Sequence, residues 1–438
     1  MNGKITAAVF WFRRDLRLED NTGLYNALRS GYPVLPLFIL DTGILDRLEE
    51  KADRRVSFIT AALAELNKKL IAAGSSLLVL HGTQENAFRK ILGDYDIKAV
   101  FTNRDYEPYA TARDEKISVL LSTSGIPFHS FRDQVIFEKK EIVKSDGTPY
   151  TVFTPYSRVW KKRLTVQDTV SLPSEKYSGN FLKMPPARIP GPEDIGFINT
   201  DTVSPVPAVN IEIIRNYHLT RDIPSLEGTT RLGVHLRFGT VSIRRLVRIA
   251  LDLNETWLNE LIWRDFFMSI LWHFPYVTDN SFKPKYDAIQ WRNNEEEFDR
   301  WCSGMTGYPI VDAGMRELNA TGFMHNRVRM ITASFLAKHL LTDWRWGEAY
   351  FAAKLLDYEL SSNNGNWQWA AGTGCDAAPY FRVFNPAEQT RKFDPQMRYI
   401  RKWVPELDNP SYPRPVVDHH FARERALTTY ASGLGRSL

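Results

Sequence analysis

The run LLDYELSSNNGNWQWAAGTGCDAAPYFRVFNP, residues 355–386, decides how this sequence is interpreted. It brings acidic, amide and indole side chains into a short stretch: Asp357, Glu359, Asn363, Asn364, Trp367 and Trp369. Its glycines allow other groups to approach the backbone closely. Carboxylates and carboxamides that face a heterocycle can bind its N–H and C=O edge. The run therefore predicts a binding site for a flat ring and is difficult to explain as core alone.

Helical patterns surround this run in the second half of the chain. Beyond residue 209 they continue almost without a break, as in VSIRRLVRIALDL (241–253), WLNELIWRDFFMSILWHF (257–274), FMHNRVRMITASFLAKHLL (323–341) and GEAYFAAKLL (347–356). All tryptophans except Trp11 and Trp160 lie between Trp257 and Trp403. A large helical core explains some of them. We therefore predict an all-helical domain over residues 209–438.

Short apolar runs alternate with helical patterns over residues 1–133. The runs are AAVFWF (7–12), PVLPLFIL (33–40), SSLLVLHG (75–82), KAVFTN (98–103) and PFHSF (127–131). Buried strands separated by helices predict an α/β domain with a doubly wound parallel sheet. Over residues 134–208, Pro, Gly and Ser interrupt the pattern, which indicates a long interdomain linker. The predicted fold class is thus α/β followed by all-α.

Composition and charge exclude several classes of protein. The 438 residues are 43% hydrophobic and 24% charged, which is typical of a globular chain of two or three domains. No stretch approaches 18 uninterrupted apolar residues, so no membrane span is predicted. Cys302 and Cys375 form neither a disulfide framework nor a metal-binding spacing, so we expect a cytoplasmic protein without a metal. The net charge of +5 leaves nucleic-acid binding undecided.

A possible phosphate site lies in EGTTRLGVHLRFGTVS, residues 227–242. Gly228, two threonine hydroxyls and Arg231 together offer backbone N–H groups, O–H donors and a positive charge. That set suits a pyrophosphate. Taken alone, however, a helix N-cap with a surface arginine explains the run better.

Two helical segments each carry polar and bulky residues on one face. In WLNELIWRDFF, Glu260, Trp263 and Arg264 stand at i, i+3 and i+4. They fit either a packed tryptophan flanked by a surface ion pair or a base-stacking platform beside a carboxylate. In FMHNRVRMITASF, Asn326 and Met330 share a face.

Together, these four runs resemble the photolyase/cryptochrome flavoprotein family over essentially the whole chain. The resemblance is greatest to the class I cyclobutane pyrimidine dimer photolyases. It implies an antenna domain (1–133), a linker (134–208) and a helical catalytic domain (209–438) that holds FAD. It also implies light-driven repair of pyrimidine dimers in DNA by reduced FAD, carried out by a monomer without an obligate protein partner.

The resemblance assigns residues to the FAD. The residues that match those binding the phosphates and ribose of FAD in the family are Tyr217, Thr229, Thr230, Arg231, Leu232 and Gly233. Those that match the rest of the FAD cavity are Trp257, Arg264, Asp357, Tyr358 and Glu359. Asn363 matches the residue that faces flavin N5, and Arg329 is expected to pair with Asp357.

Other matches concern the dimer and the DNA. Glu260 and Asn326 match the catalytic residues that hydrogen-bond the dimer, and Trp263 and Trp369 match the two rings that wall it, with Met330 nearby. The residues that lie in segments meeting the DNA backbone are Arg221, Arg327, Arg382 and Gln389. The tryptophans that match an electron chain from the surface to the flavin are Trp367, Trp344 and Trp291. A carboxyl in an apolar pocket has its pKa raised, so Glu260 can donate a hydrogen bond to the dimer.

The sequence departs from the family pattern at several positions. Gly233 replaces a usual serine, and Glu359 replaces a common aspartate. Tyr109 and Ala110 stand where folate-binding relatives carry an Asn-Glu pair, which argues against a folate antenna held in that way. A deazaflavin antenna, another flavin or no antenna at all stay open.

Three alternatives to dimer repair fit the sequence less well. A cryptochrome light sensor often has a C-terminal extension, whereas only about thirty residues follow the last family segment here. A (6-4) photoproduct lyase is expected to carry histidine at the position of Asn326. An electron-transfer flavoprotein would leave Glu260, Asn326 and the two tryptophan walls without a role. The sequence therefore favours a deoxyribodipyrimidine photo-lyase.

Overall fold

The structure is a computed structural model and describes residues 4–435. Within that range, five strands form one parallel sheet in the order β3-β2-β1-β4-β5: β1 (Ile5–Phe12), β2 (Val34–Asp41), β3 (Leu78–Gly82), β4 (Tyr95–Asn103) and β5 (Phe128–Phe131). Each strand overlaps one of the predicted apolar runs, and β2 is buried along its whole length. A strand covered on both faces needs apolar side chains at successive positions, which explains why these runs are continuous. The predicted parallel sheet is confirmed.

Helices account for most of the remaining regular structure. The α-helices are α1 (Thr22–Leu28), α2 (Thr42–Leu45), α3 (Arg54–Ala72), α4 (Gln84–Asp94), α5 (Pro108–Ser122), α6 (Phe153–Arg163), α7 (Val166–Thr169), α8 (Ile211–Arg215), α9 (Tyr217–Thr220), α10 (Gly233–Phe238), α11 (Ile243–Leu253), α12 (Glu255–His273), α13 (Glu295–Cys302), α14 (Pro309–Thr321), α15 (Asn326–Ser334), α16 (Trp344–Lys354), α17 (Leu360–Ala371), α18 (Pro386–Phe393), α19 (Arg398–Trp403) and α20 (His419–Gly433). A π-helical segment, Phe335–Leu340, follows α15 directly. Short 3₁₀ helices occur at Ser174–Asn180, Glu193–Ile195, Pro275–Thr278 and Pro284–Ala288.

Two compact units are each assembled from separate stretches of the chain. They are a sheet unit (residues 4–138, 162–209 and 231–252) and a helical unit (139–161, 210–230 and 253–435). The predicted linker contains α6, whose Trp160 indole donates to the buried Asp265 carboxylate at 3.0 Å and so joins this helix to the helical unit. Compact units and domains are different divisions of a chain, so the predicted domain boundaries stay a prediction.

A buried charge cluster follows β1 in the sheet unit. Asp15 accepts hydrogen bonds from the Arg13 backbone N–H at 2.7 Å and from the Asn103 amide at 2.6 Å. Asp133 pairs with Arg17 at 2.6 Å and with Arg244 at 2.9 Å. These pairs bring the turn after β1 together with α11, which is why residues 231–252 pack in the sheet unit.

Asp15 is expected to make the stability of the protein depend on pH. Burial raises the pKa of this carboxyl from 3.8 to about 6, since the charged form loses its hydration. The folded chain then binds the proton more tightly than the unfolded chain, so this group contributes stability below pH 3.8 that is lost as the pH rises through about 6. We expect Asp15→Asn to remove this dependence, measured as the free energy of unfolding in urea across that range. Asp46→Asn, at an exposed position, is the control, and parallel curves for wild type and Asp15→Asn would contradict the assignment.

The core of the helical unit is rich in aromatic side chains. Trp301, Trp344 and Trp367 are buried in one cluster with apolar residues of α14, α15 and the π-helical segment. Within residues 4–435, no three His, Cys, Asp or Glu side chains lie together in a way that suits a metal ion. None of the helices in that range is long and apolar enough to cross a membrane.

Candidate active site

The centre of the site is the crossing of α12 and α17. A Cβ on Gly365 would overlap the ring of Phe267, so only glycine at this position allows the two helices to approach so closely. Helix α12 begins at the cap residue Asn254, whose side chain accepts from the Trp257 N–H at 3.1 Å. Trp257 is buried near this end of the helix. The crossing brings together the two sequence runs that carry most of the predicted site.

A buried ion pair joins these two helices. Glu359 directly precedes α17, and its Oε2 atom lies 3.1 Å from Arg264 Nε on α12. Both side chains are about nine-tenths buried. Glutamate stands here in place of the aspartate that the family pattern favours. The longer side chain of Glu359 contacts Arg264 directly, so the carboxylate is oriented by its own protein neighbour.

Two further predicted FAD residues are held by carboxylates. Arg329 Nη2 lies 3.0 Å from Asp357 Oδ2, which confirms the predicted pair. Asn363 donates its amide N–H to Glu348 Oε1 at 2.8 Å and to the Glu348 backbone carbonyl at 3.1 Å. Burial raises the pKa of Glu348. The amide of Asn363 is therefore fixed in orientation by α16.

Each of the two helices α12 and α17 carries a buried side-chain oxygen atom that is open to a polar ligand. Asn259 Oδ1 on α12 and Ser361 Oγ on α17 have no hydrogen-bond partner among residues 4–435. An unpaired buried polar group costs about 1–3 kcal/mol, so such atoms in a native fold call for a partner. A planar heterocycle with N–H and C=O groups supplies such partners, which is consistent with the residues predicted to hold FAD.

The predicted phosphate residues are distributed over both units. In the helical unit, Tyr217 begins α9, and Thr229 and Thr230 follow Gly228, whose carbonyl accepts from the Thr220 hydroxyl at 3.0 Å. A Cβ on Gly228 would lie 2.6 Å from Thr220 Cβ, so glycine is required there. The residues of this run in the sheet unit are Arg231, Leu232 and Gly233.

Charged residues near Glu260 form two ion pairs. Glu260 Oε1 accepts from Arg221 Nη1 at 2.6 Å, and Asp222 Oδ1 accepts from Arg327 Nη2 at 2.6 Å. Burial raises the pKa of Glu260, while the Arg221 guanidinium opposes this shift. Arg221 and Arg327 are predicted to meet the DNA backbone. In this structure each guanidinium group is paired with a neighbouring carboxylate.

Trp263 lies in a stack of aromatic rings. Its ring is 3.7 Å from the ring of Phe153, centroid to centroid, and the two planes differ by 3°. Phe267 lies at 5.3 Å and 27°, and Phe266 meets Trp263 edge-on at 5.6 Å. Trp263 itself keeps partial exposure. A predicted wall of the dimer pocket is therefore fixed by three phenylalanine rings.

The other predicted dimer residues lie on α15 and α17. Asn326 is exposed at the start of α15, and Met330 lies one turn later, with its sulfur 3.7 Å from Arg327 Nη1. Trp369, on α17, is partly exposed and lies 6.5 Å from the ring of Phe384. These side chains are accessible to a ligand, unlike the buried core tryptophans.

Of the two predicted DNA-backbone residues beyond α17, Arg382 is held by the π-helical segment. Arg382 is exposed, and its backbone carbonyl accepts from the ammonium of Lys338 at 2.8 Å. Lys338 is completely buried, and burial lowers its pKa to about 7. Gln389 lies on α18, which is capped by Asn385. The buried lysine thus supports the loop that carries Arg382.

The predicted electron-chain tryptophans belong to one cluster. Trp367 and Trp344 are buried in it, and Trp291 packs against it. A Cβ on Gly347, one turn after Trp344 on α16, would overlap the Trp367 ring. The glycine therefore lets α16 approach the Trp367 ring on α17 closely.

Several contacts were missed by the sequence interpretation. They involve Phe153 with Trp263, Asp222 with Arg327, Glu348 with Asn363, and Lys338 with Arg382. A lysine inside an apolar helical run was the one available signal, since an ammonium is seldom buried.

In the predicted antenna domain, Tyr109 on α5 donates its hydroxyl to Asp41 Oδ2 at 2.7 Å, and the next residue, Ala110, is buried. These contacts leave the identity of an antenna open.

Comparison with known families gives two matches. Residues 8–175 match the family described as DNA photolyase, and residues 257–411 match the FAD binding domain of DNA photolyase. A curated deoxyribodipyrimidine photo-lyase of Escherichia coli (strain K12) is 37% identical over 469 residues, covering 97% of this chain and 98% of that protein.

Solved structures of two kinds resemble the fold. A class III photolyase from Agrobacterium tumefaciens gives a TM-score of 0.86 at 32% identity, covering 99% of this chain and 98% of that one. A cryptochrome from Synechocystis gives 0.84 at 26% identity, covering 98% and 100%. A photolyase and a cryptochrome therefore share this architecture, so the distinction between them depends on the site residues.

Proposed function

Because the chain belongs to the DNA photolyase family, we propose that it repairs cyclobutane pyrimidine dimers in DNA with light, as a deoxyribodipyrimidine photo-lyase. It binds FAD, since residues 257–411 match the FAD-binding domain of that family. When bound, reduced FAD supplies the light-excited electron that splits the dimer and takes it back afterwards.

The residues that hold FAD are those around the crossing of α12 and α17. The Arg264–Glu359 and Arg329–Asp357 pairs supply charged and hydrogen-bonding groups for its ring and sugar edges. Asn363, oriented by Glu348, offers its remaining carbonyl oxygen to flavin N5. Support for this assignment comes from the unpaired Asn259 and Ser361 oxygens.

One observation supports repair above all others: Glu260 and Trp263 share one face of α12. A dimer has to leave the duplex to reach a flavin held inside the protein, and a damaged base is extruded at lower cost than a sound one. Trp263 and Trp369 contact the extruded dimer, and each stacking contact contributes about 1–3 kcal/mol. Burial raises the pKa of Glu260, although Arg221 opposes the shift, and the protonated carboxyl donates a hydrogen bond to a dimer carbonyl as negative charge develops there.

Glu260→Ala and Trp263→Ala are expected to separate these two roles. Loss of Glu260 removes a hydrogen bond to a charged state, so repair per absorbed photon should fall more than DNA affinity does. Loss of Trp263 should mainly weaken binding of dimer-containing oligonucleotide, by about 1–3 kcal/mol. Both quantities are measured by irradiating the reduced protein with this oligonucleotide and by titrating binding in the dark.

Glu424→Ala, an exposed change on α20, is the matched control and should behave as wild type. Unchanged repair in both site variants would mean that the dimer pocket lies elsewhere. If the wild-type protein with reduced FAD repairs no dimers under blue light, the cryptochrome-type sensor replaces repair as the function. A cytoplasmic location, a monomeric state and the nature of any antenna stay predictions.

A further inference from the structure

Phe153 makes the closest aromatic contact that Trp263 has. The two rings are parallel within 3° at 3.7 Å, whereas Phe267 lies 5.3 Å away at 27°. Phe266 meets both rings edge-on, at 5.9 Å from Phe153 and 5.6 Å from Trp263. Phe153 therefore restricts the rotation of the Trp263 indole about its side-chain bonds.

The backbone of Phe153 is fixed independently of its ring. Phe153 is the first residue of α6, so its N–H has no acceptor within that helix. Asp376 Oδ2 accepts from this N–H at 3.0 Å. Asp376 follows α17, the helix that carries Trp369. Phe153 therefore contacts Trp263 through its aromatic ring and binds the segment after Trp369 through its backbone N–H.

From these contacts we propose that Phe153 is a positioning residue, which holds Trp263 in the orientation that receives the extruded dimer. The inference rests on the proposed function, because Trp263 is assigned to the dimer there. Phe153 acts through Trp263 and does not contact the dimer itself. A wall that is already ordered loses less side-chain freedom when the dimer binds, so the stack increases affinity for damaged DNA.

A double-mutant cycle tests this proposal. Phe153→Leu keeps an apolar side chain and removes the ring, while Phe153→Tyr keeps the ring and serves as the conservative rescue. Each is made in the wild type and in Trp263→Ala. The measurements are dissociation constants for the same oligonucleotide with and without a dimer, flavin content, and repair per absorbed photon.

We expect Phe153→Leu to weaken dimer binding by about 3- to 10-fold, the range that loss of one stacked aromatic pair gives. Affinity for undamaged DNA and flavin content should stay at wild-type values, and Phe153→Tyr should bind dimers normally. In the Trp263→Ala protein, Phe153→Leu should cause no further loss, because the ring it positions is absent. Phe421→Leu, at an exposed position on α20, is the control.

Asp376→Asn keeps the aromatic stack and weakens only its backbone anchor, so it tests the proposal even if Phe153→Leu does not fold. It should weaken dimer binding in the same direction by a smaller factor and lose this effect in Trp263→Ala. Equal losses for damaged and undamaged DNA would overturn the proposal, as would a Phe153→Leu effect that persists in Trp263→Ala. Failure of the proposed function looks different, since Trp263→Ala itself would then bind dimers like wild type.

Discussion

Replacing Trp367 with phenylalanine is expected to abolish rapid photoreduction of the oxidised flavin, while enzyme whose flavin has been reduced chemically still repairs dimers. Trp367 is almost completely buried and packs edge-on against Phe351 at 5.0 Å. Phenylalanine is much harder to oxidise than tryptophan, so the substitution interrupts electron transfer while keeping an aromatic side chain in the cluster. The measurement is the loss of oxidised-flavin absorbance under blue light with an external reductant.

Trp403→Phe is the matched control, because Trp403 packs against the same cluster and lies outside the predicted chain of Trp367, Trp344 and Trp291. It should photoreduce as wild type does. Normal photoreduction in Trp367→Phe would refute the predicted chain. If Trp367→Phe with chemically reduced flavin fails to repair dimers, Trp367 contributes to the repair step itself.

Glu359→Ala is expected to lower the free energy of unfolding by about 3–5 kcal/mol, the effect of removing one partner from a buried ion pair. The side chains of Arg264 and Glu359 are only 9% and 8% exposed, so Arg264 would keep its charge in an environment with little water. The variant should also lose FAD more readily. Urea unfolding with saturating FAD measures the first effect, and flavin retained on dilution measures the second.

The double variant Arg264→Met, Glu359→Leu should be less destabilised than Glu359→Ala, because it removes both charges of the buried pair together. Glu212→Ala is the control, since Glu212 pairs with Arg215 on the surface, where such pairs contribute about 0–1 kcal/mol. An equal loss in the double and single variants would show that the charge imbalance is not the cause.

The sheet could be predicted from sequence because its strands are local and buried on both faces. Each strand leaves a continuous apolar run, and helical patterns lie between these runs, as at α3 (Arg54–Ala72). The shared face of Glu260 and Trp263 was also accessible, since helical spacing alone determines it. These features depend on residues a few positions apart.

The remaining parts of the site depend on distant residues and were not accessible in this way. Arg327 meets Asp222, 105 residues earlier in the chain, and nothing in the local pattern of either segment indicates the other. Helix α6 lies in the predicted linker, because Pro, Gly and Ser interrupt the pattern of the segment around it, although Phe153, Tyr156 and Trp160 recur at helical spacing within the helix. With it, the contact between Phe153 and Trp263 was missed.

Because each unit is assembled from separate stretches of the chain, truncation at a single position removes part of a unit. A fragment that begins at residue 210 would omit residues 139–161, although these pack in the helical unit. It would lose the Trp160 indole that donates to buried Asp265 and the ring that stacks on Trp263. Chimeras exchanged at one junction between neighbouring segments would suffer the same defect. A transplantable catalytic module has to bring residues 139–161 along, either as a second, co-expressed peptide or in a permuted chain order.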